Sequence, residues 1–131
     1  MSDLEELVAA AREAAMQSYS PYSRFRVGAV VVDEDGEQHA GANVENAAYG
    51  SSLCAEATAI AGAVARGVRR IPTLAVACID AQDAEGAYPC GNCRQLMHEF
   101  GVERVIVTAG DGAEIREHTL DELHPHGFFL D

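Results

Sequence analysis

The chain has 131 residues, 48% of them hydrophobic, and 21 acidic side chains against nine basic ones give a formal charge of −12. That length suits one ordinary domain around a single buried core, so 1–131 is expected to form a single domain with no room for a second. All nine basic residues are arginine, and so acidic a surface repels phosphate backbones, which argues against a nucleic acid polymer as partner and leaves a neutral small molecule unopposed.

The N-terminus, Met-Ser-Asp-Leu-Glu-Glu, shows neither a basic leader nor a long apolar run. The expectation is a cytoplasmic protein with no signal peptide and no membrane partner. Ser2 with Glu5 reads as a capping box, and Leu4, Leu7, Val8, Ala11 and Ala15 recur at helical spacing up to about Gln17. Ser20-Pro21-Tyr22-Ser23 breaks that helix. Phe25 to Asp33 is β-branched and strand-like, and Asp33-Glu34-Asp35-Gly36 turns it into a second strand near Gln38 to Asn43.

From Leu53 to Arg66 alanine, isoleucine and valine dominate, and Gly67 closes a largely buried helix. Thr73 to Ile79 is an apolar strand, a polar loop runs from Asp80 to Tyr88, and a third helix extends from about Pro89-Cys90-Gly91-Asn92-Cys93 to Phe100. Arg104 to Thr108 and Glu114 to His118 complete the strands around an Asp111-Gly112 turn, and Leu120 to Leu123 adds a helical turn. The order predicts a sheet with helices packed on its faces, part parallel and part hairpin.

In a chain without an export signal, the four cysteines are better read as metal or redox chemistry than as disulfides. Cys90 and Cys93 lie at the predicted start of one helix and Cys54 at the start of another, where the positive helix end favours thiolate. Three soft ligands suit zinc and leave a fourth position open to water, whose acidity the metal raises. Glu56, two residues past Cys54, points roughly 200° round the helix from it. That position is poor for chelation with Cys54 and suited to carrying protons beside the metal. Cys78, mid-strand among Leu74, Val76 and Ile79, reads as a core thiol; a four-cysteine structural site and a thioredoxin-like pair are the alternatives. None of His39, His98, His118, His124 and His126 has ligand spacing with the cysteines.

Cys54-Ala55-Glu56 with Pro89-Cys90-Gly91-Asn92-Cys93 resembles the zinc deaminase signature in its three-cysteine form. With Tyr22-Ser23-Arg24-Phe25-Arg26-Val27-Gly28-Ala29, Asn43-Val44-Glu45-Asn46-Ala47 and Cys93-Arg94-Gln95, the resemblance covers nearly the whole chain and is closest to the small homotetrameric cytidine deaminases. It implies a three-layer α/β/α fold on a mixed five-stranded sheet, and hydrolytic deamination of cytidine and deoxycytidine to uridine and deoxyuridine for pyrimidine salvage. It further implies Zn2+ on Cys54, Cys90 and Cys93, and Glu56 passing protons to N3 and to the leaving amine. Asn43 and Glu45 would hold the sugar, Phe25 would stack on the base, and Ala55 and Cys90 would offer main-chain groups at the pyrimidine edge. Phe128, with Phe129 as an alternative, would reach a neighbouring subunit's site in a homotetramer.

Two positions depart from the family. Ala57 stands where an arginine commonly offsets the thiolate charge, so Arg94 is expected to compensate from beside the metal. Asn92 replaces a smaller residue between the paired cysteines. Competing readings are a deaminase of a modified cytosine nucleoside such as a blasticidin-type antibiotic, a non-catalytic zinc-stabilised binding domain, and a polynucleotide editor; the charge and short chain disfavour the last.

Overall fold

The computed structural model describes residues 3–130. The elements are α1 (Asp3–Ala15), β1 (Val27–Val32), β2 (Gln38–Ala42), α2 (Ala55–Ala65), β3 (Thr73–Cys78), α3 (Gly91–Glu99), β4 (Arg104–Ala109), β5 (Ile115–Thr119) and α4 (Leu120–Leu123), with short 3-10 turns at Tyr49–Ser51 and Ala84–Ala87. The Ser2 half of the predicted capping box lies outside the described residues. The sheet order is β2-β1-β3-β4-β5. Only β3 and β4 pair in parallel, and the remaining pairs are antiparallel, so the sheet is mixed.

Side-chain alternation sorts the sheet into two faces. Val30, Ala75, Ala77 and Ile106 meet Leu7, Val8 and Ala11 of α1. Ala29, Val31, Leu74, Val76, Val105 and Val107 face the other way, against Ala59, Ile60 and Ala63 of α2 and Cys93 and Met97 of α3. One helix covers one face and two cover the other, which gives the expected three layers. Close approach is built in at two glycines: a Cβ on Gly28 would lie 2.1 Å from the Ala11 carbonyl oxygen, and one on Gly41 would lie 2.4 Å from Ala59 N.

The element edges differ from the sequence reading where backbone groups have other partners. α1 stops at Ala15 and not Gln17, because Met16, Gln17 and Ser18 donate to carbonyls three residues back and tighten the last turn. β1 starts at Val27 and not Phe25, since the Phe25 N–H donates to Ser23 Oγ and the Arg26 N–H to Asp80 Oδ2. α2 starts at Ala55: Leu53 is instead held in a β-bridge with Val44. β5 runs one residue later than read, through Thr119, which also caps α4 in a capping box with Glu122. No helix among the described residues is long and apolar enough to cross a membrane.

Candidate active site

α2 leads into the start of β3 and α3 leaves from its end, so the N-termini of both helices converge beyond the C-terminal end of β3, where Cys78 sits. Cys54 is the N-cap of α2 and Cys90 the N-cap of α3, both in extended conformation, while Cys93 lies in the first turn of α3. The Cys54, Cys90 and Cys93 sulfurs lie within 4.8 Å of one another, and Cys54 Sγ is 3.9 Å from Cys90 Sγ. Sulfurs bound tetrahedrally to zinc at about 2.3 Å stand about 3.8 Å apart, so the trio fits that ion. The neighbouring Cys93 and Cys90 thiols hold Cys54 down at about 6, while contact with Cys54 and burial push the Cys93 thiol far up.

Glu56 is only 4% exposed, and burial pushes its carboxyl up to about 7, with the Cys54 charge adding to the rise. Because Cys54 is a cap and not a helical residue, the angle expected between the two on a helix does not describe them. The outcome is the same: Glu56 is absent from the sulfur cluster and lines the same cavity as Cys54 and Cys90. Cys78, buried at 5% exposure, also lines that cavity, but its sulfur is not in the cluster and its thiol is pushed up to about 12 by burial.

The cavity measures about 410 Å³, and Phe25, Asn43, Glu45 and Ala55 line it beside Cys54, Cys78, Cys90 and Glu56. Residues 43–45 are slung between two neighbours. Tyr19 N–H donates to the Asn43 carbonyl at 3.0 Å and Glu45 N–H to the Tyr19 carbonyl at 2.8 Å. On the other side, Val44 and Leu53 exchange bonds of 2.9 and 2.8 Å, one residue before Cys54. The Asn43 amide is largely committed: Nδ2 donates to the Phe25 carbonyl at 2.9 Å, and Oδ1 accepts from Val27 N–H at 2.9 Å and the Ser18 hydroxyl at 2.5 Å. Glu45 accepts from the Tyr22 and Ser23 N–H groups and the Ser23 hydroxyl, and the last of these chiefly lowers its carboxyl below the usual range.

Arg94 does not bond to sulfur. Its Nε donates to the Pro89 carbonyl at 2.8 Å and its Nη1 to the Leu123 carbonyl at 2.6 Å, bracing the Cys90 loop against α4. Phe128 is 67% exposed and does not line the cavity of its own chain, while the Phe129 ring lies 6.4 Å from that of His98. Tyr88, just before the Pro89-Cys90 turn, lines the cavity and shares a 2.8 Å hydrogen bond with His118 Nε2. Sequence reasoning passed over Ser23, Tyr88 and Gln95 as functional positions, and only their place inside the family motifs or beside the cysteines could have flagged them.

A second group of metal-capable side chains, Asp33, Glu37 and His39, closes the β1–β2 hairpin. Its main contacts are internal: Asp33 Oδ1 accepts from the Asp35 and Glu37 N–H groups and Oδ2 pairs with His39 Nε2 at 3.0 Å. That makes it a lock on the turn.

A family model described as the cytidine and deoxycytidylate deaminase zinc-binding region matches residues 1–109. The chain is 44% identical over 129 residues to a cytidine deaminase of Sporosarcina psychrophila, covering 96% of this chain and 91% of that one. It is 39% identical over 121 residues to a cytidine deaminase of Mycobacterium tuberculosis strain H37Rv, covering 92% and 86%. Its structure resembles the crystal structure of cytidine deaminase from Burkholderia pseudomallei, with a TM-score of 0.87, 38% identity, and coverage of 98% of this chain and all of that one.

Proposed function

The chain belongs to the family of cytidine and deoxycytidylate deaminases marked by that zinc-binding region, and from this premise we propose that it hydrolyses cytidine and deoxycytidine to uridine and deoxyuridine. The observation that carries the reading is the meeting, in one cavity, of a buried carboxyl, two thiols of a zinc-fitting trio and the polar pair Asn43 and Glu45.

Zinc on three thiolates with an open position supplies an acidified water and a Lewis acid. Cys54, Cys90 and Cys93 would hold it, at two helix N-termini whose positive ends offset the surplus negative charge of three thiolates. Glu56, kept near neutrality by burial, is suited both to take a proton and to give one near pH 7. It takes one proton from the water that adds to C4 and passes it to N3 of the pyrimidine, then takes the second from the hydroxyl so formed on C4 and passes it to the amine, which leaves as ammonia. Phe25 stacks on the base, and Ala55 and Cys90 offer main-chain groups at its edge. Arg94 acts as a brace on the Cys90 loop, and its cationic charge beside that loop contributes to offsetting the thiolates.

The sugar clamp has limited capacity. Three of the roughly four acceptor sites of Glu45 and one of the two amide hydrogens of Asn43 are already engaged. One acceptor and one donor remain, a match for a single hydroxyl, which fits use of both ribose and deoxyribose. Homotetramerisation accounts for the exposed Tyr49, Leu53, Phe128 and Leu130, with Phe128 covering a neighbour's site. Free thiolate ligands suit a cytoplasmic setting.

The test is Glu56→Gln, followed by ultraviolet absorbance on cytidine and by zinc analysis. Turnover should fall roughly 10²- to 10⁴-fold with zinc retained. Unchanged behaviour would point to a non-catalytic binding domain, and a wild-type preference for blasticidin S over cytidine would point to the modified nucleoside.

A further inference from the structure

Around the sugar clamp, one hydroxyl touches both the Glu45 carboxylate and the Phe25 main chain. The Ser23 Oγ–H donates to Glu45 Oε2, the only direction open because a carboxylate has no proton to give. The same oxygen accepts the Phe25 N–H at 3.0 Å. Arg24, between them, adopts a left-handed backbone with φ of 59°, which folds the chain back so that the Phe25 amide meets the Ser23 side chain. At its other end the Phe25 carbonyl accepts from Asn43 Nδ2 at 2.9 Å. Both main-chain groups of Phe25 are therefore held by the sugar pair, one directly by Asn43 and one through Ser23.

We infer that Ser23 is a positioning residue for substrate recognition, its hydroxyl fixing the Glu45 carboxylate and the Phe25 ring in one mutual geometry so that sugar and base are read together. This rests on the roles of Phe25 and Glu45 proposed above. Removing the hydroxyl leaves the Glu45 Oε2 lone pairs without their donor and the Phe25 N–H without its acceptor, next to a left-handed residue that costs energy to hold. Glu45 then keeps only the Tyr22 and Ser23 N–H groups on Oε1, and its Oε2, the oxygen left to meet the sugar, loses its fixed direction. The chemistry at Glu56 and the sulfurs, on α2 and α3, is untouched. Recognition should weaken while the chemical step does not.

The experiment compares wild type, Ser23→Ala, Ser23→Thr and Glu45→Gln on deoxycytidine and on 2′,3′-dideoxycytidine, which lacks the remaining ring hydroxyl, with zinc content and circular dichroism measured for each. Wild type should lose roughly 10- to 100-fold in kcat/KM when that hydroxyl is removed, as expected for a hydrogen bond to a charged group. Ser23→Ala should raise KM for deoxycytidine by a similar factor, with kcat within about 3-fold of wild type, and the discrimination between the two substrates should shrink towards unity. Ser23→Thr, which keeps the hydroxyl, should restore most of both. Ser23→Ala with wild-type KM and discrimination overturns the inference, and so does a parallel fall in kcat, zinc content and helicity, the mark of a merely structural role. If Ser23→Ala fails to fold, Ser23→Cys, close in size and a weak donor, carries the same expectations. A wild type that ignores the missing hydroxyl, with Glu45→Gln equally active, rejects the sugar clamp itself.

Discussion

Gln95, two residues past Cys93 on α3, grips Phe128 with both ends of its amide. Nε2 donates to the Phe128 carbonyl at 2.7 Å, and Oε1 accepts the Phe128 N–H at 3.1 Å while also meeting His124 Nε2 at 2.9 Å. The helix that carries two of the thiols thus also anchors the C-terminal tail.

Gln95→Ala removes both tail bonds, each worth about 1 kcal/mol, so opening of the tail should become roughly 10- to 100-fold more frequent. Chymotrypsin cleavage at Phe128 and Phe129, timed by mass spectrometry, should accelerate accordingly while zinc content stays constant. Equal cleavage rates would show that the clamp does not hold the tail.

Chelation should divide the cysteines into two pairs. Cys54 and Cys90 are exposed, and Cys78 and Cys93 are buried. Stripped of zinc, the folded protein should label quickly at the first pair and slowly at the second, and added zinc should protect Cys54 and Cys90. Rapid labelling of all four would mean that metal removal unfolds the chain.

Two glycine-to-alanine changes should act in opposite directions. A Cβ at Gly28 would meet Ala11 and Ala15 backbone at 2.1 and 2.3 Å, forcing α1 off the sheet, and a loss of at least about 3 kcal/mol is expected. At Gly62, inside α2, nothing lies within 4 Å, and Gly62→Ala should gain about 0.5–1 kcal/mol from helix propensity. Urea midpoints measure both.

Arg26 should matter less in acid. Asp80 accepts from Arg26 Nε at 2.9 Å, Nη2 at 2.8 Å and the Arg26 N–H at 2.8 Å, and the guanidinium chiefly lowers its carboxyl from 3.8 to about 2. A carboxyl depressed on folding stabilises fully above its unfolded value and loses that contribution as the pH falls through the folded one. Arg26→Ala should therefore melt about 1–3 °C below wild type at pH 7, a small effect because the pair is solvent-accessible. The gap should close between pH 4 and pH 2. A constant gap would assign the effect to packing of the Arg26 stem.

Much of the framework was legible from local pattern. Leu7, Val8, Ala11 and Ala15 mark the face of α1 that is buried, and the β-branched runs mark the inner strands. That Cys54, Cys90 and Cys93 would gather in one cluster, with Glu56 in the cavity beside it, was legible from their spacing and their places at predicted helix starts. Less legible was what depends on where long or polar side chains turn. Arg94 reaches carbonyls on Pro89 and Leu123, 29 residues apart from it in the latter case. Asp33 and His39 pair across a hairpin, and Asn43 uses most of its amide on the main chain around Phe25. These partners are chosen by tertiary proximity, on which periodicity carries no information.

The alternation along β1 has a consequence for how this chain can vary. Gly28 and Val30 face α1, while Ala29 and Val31 face the helices of the site. A single-residue insertion or deletion between Phe25 and Val32 would exchange the two sets, driving Val27 or Ala29 into the gap that only Gly28 fits and turning the register at the cavity mouth inside out. Length is thus fixed there by geometry, whatever the residues.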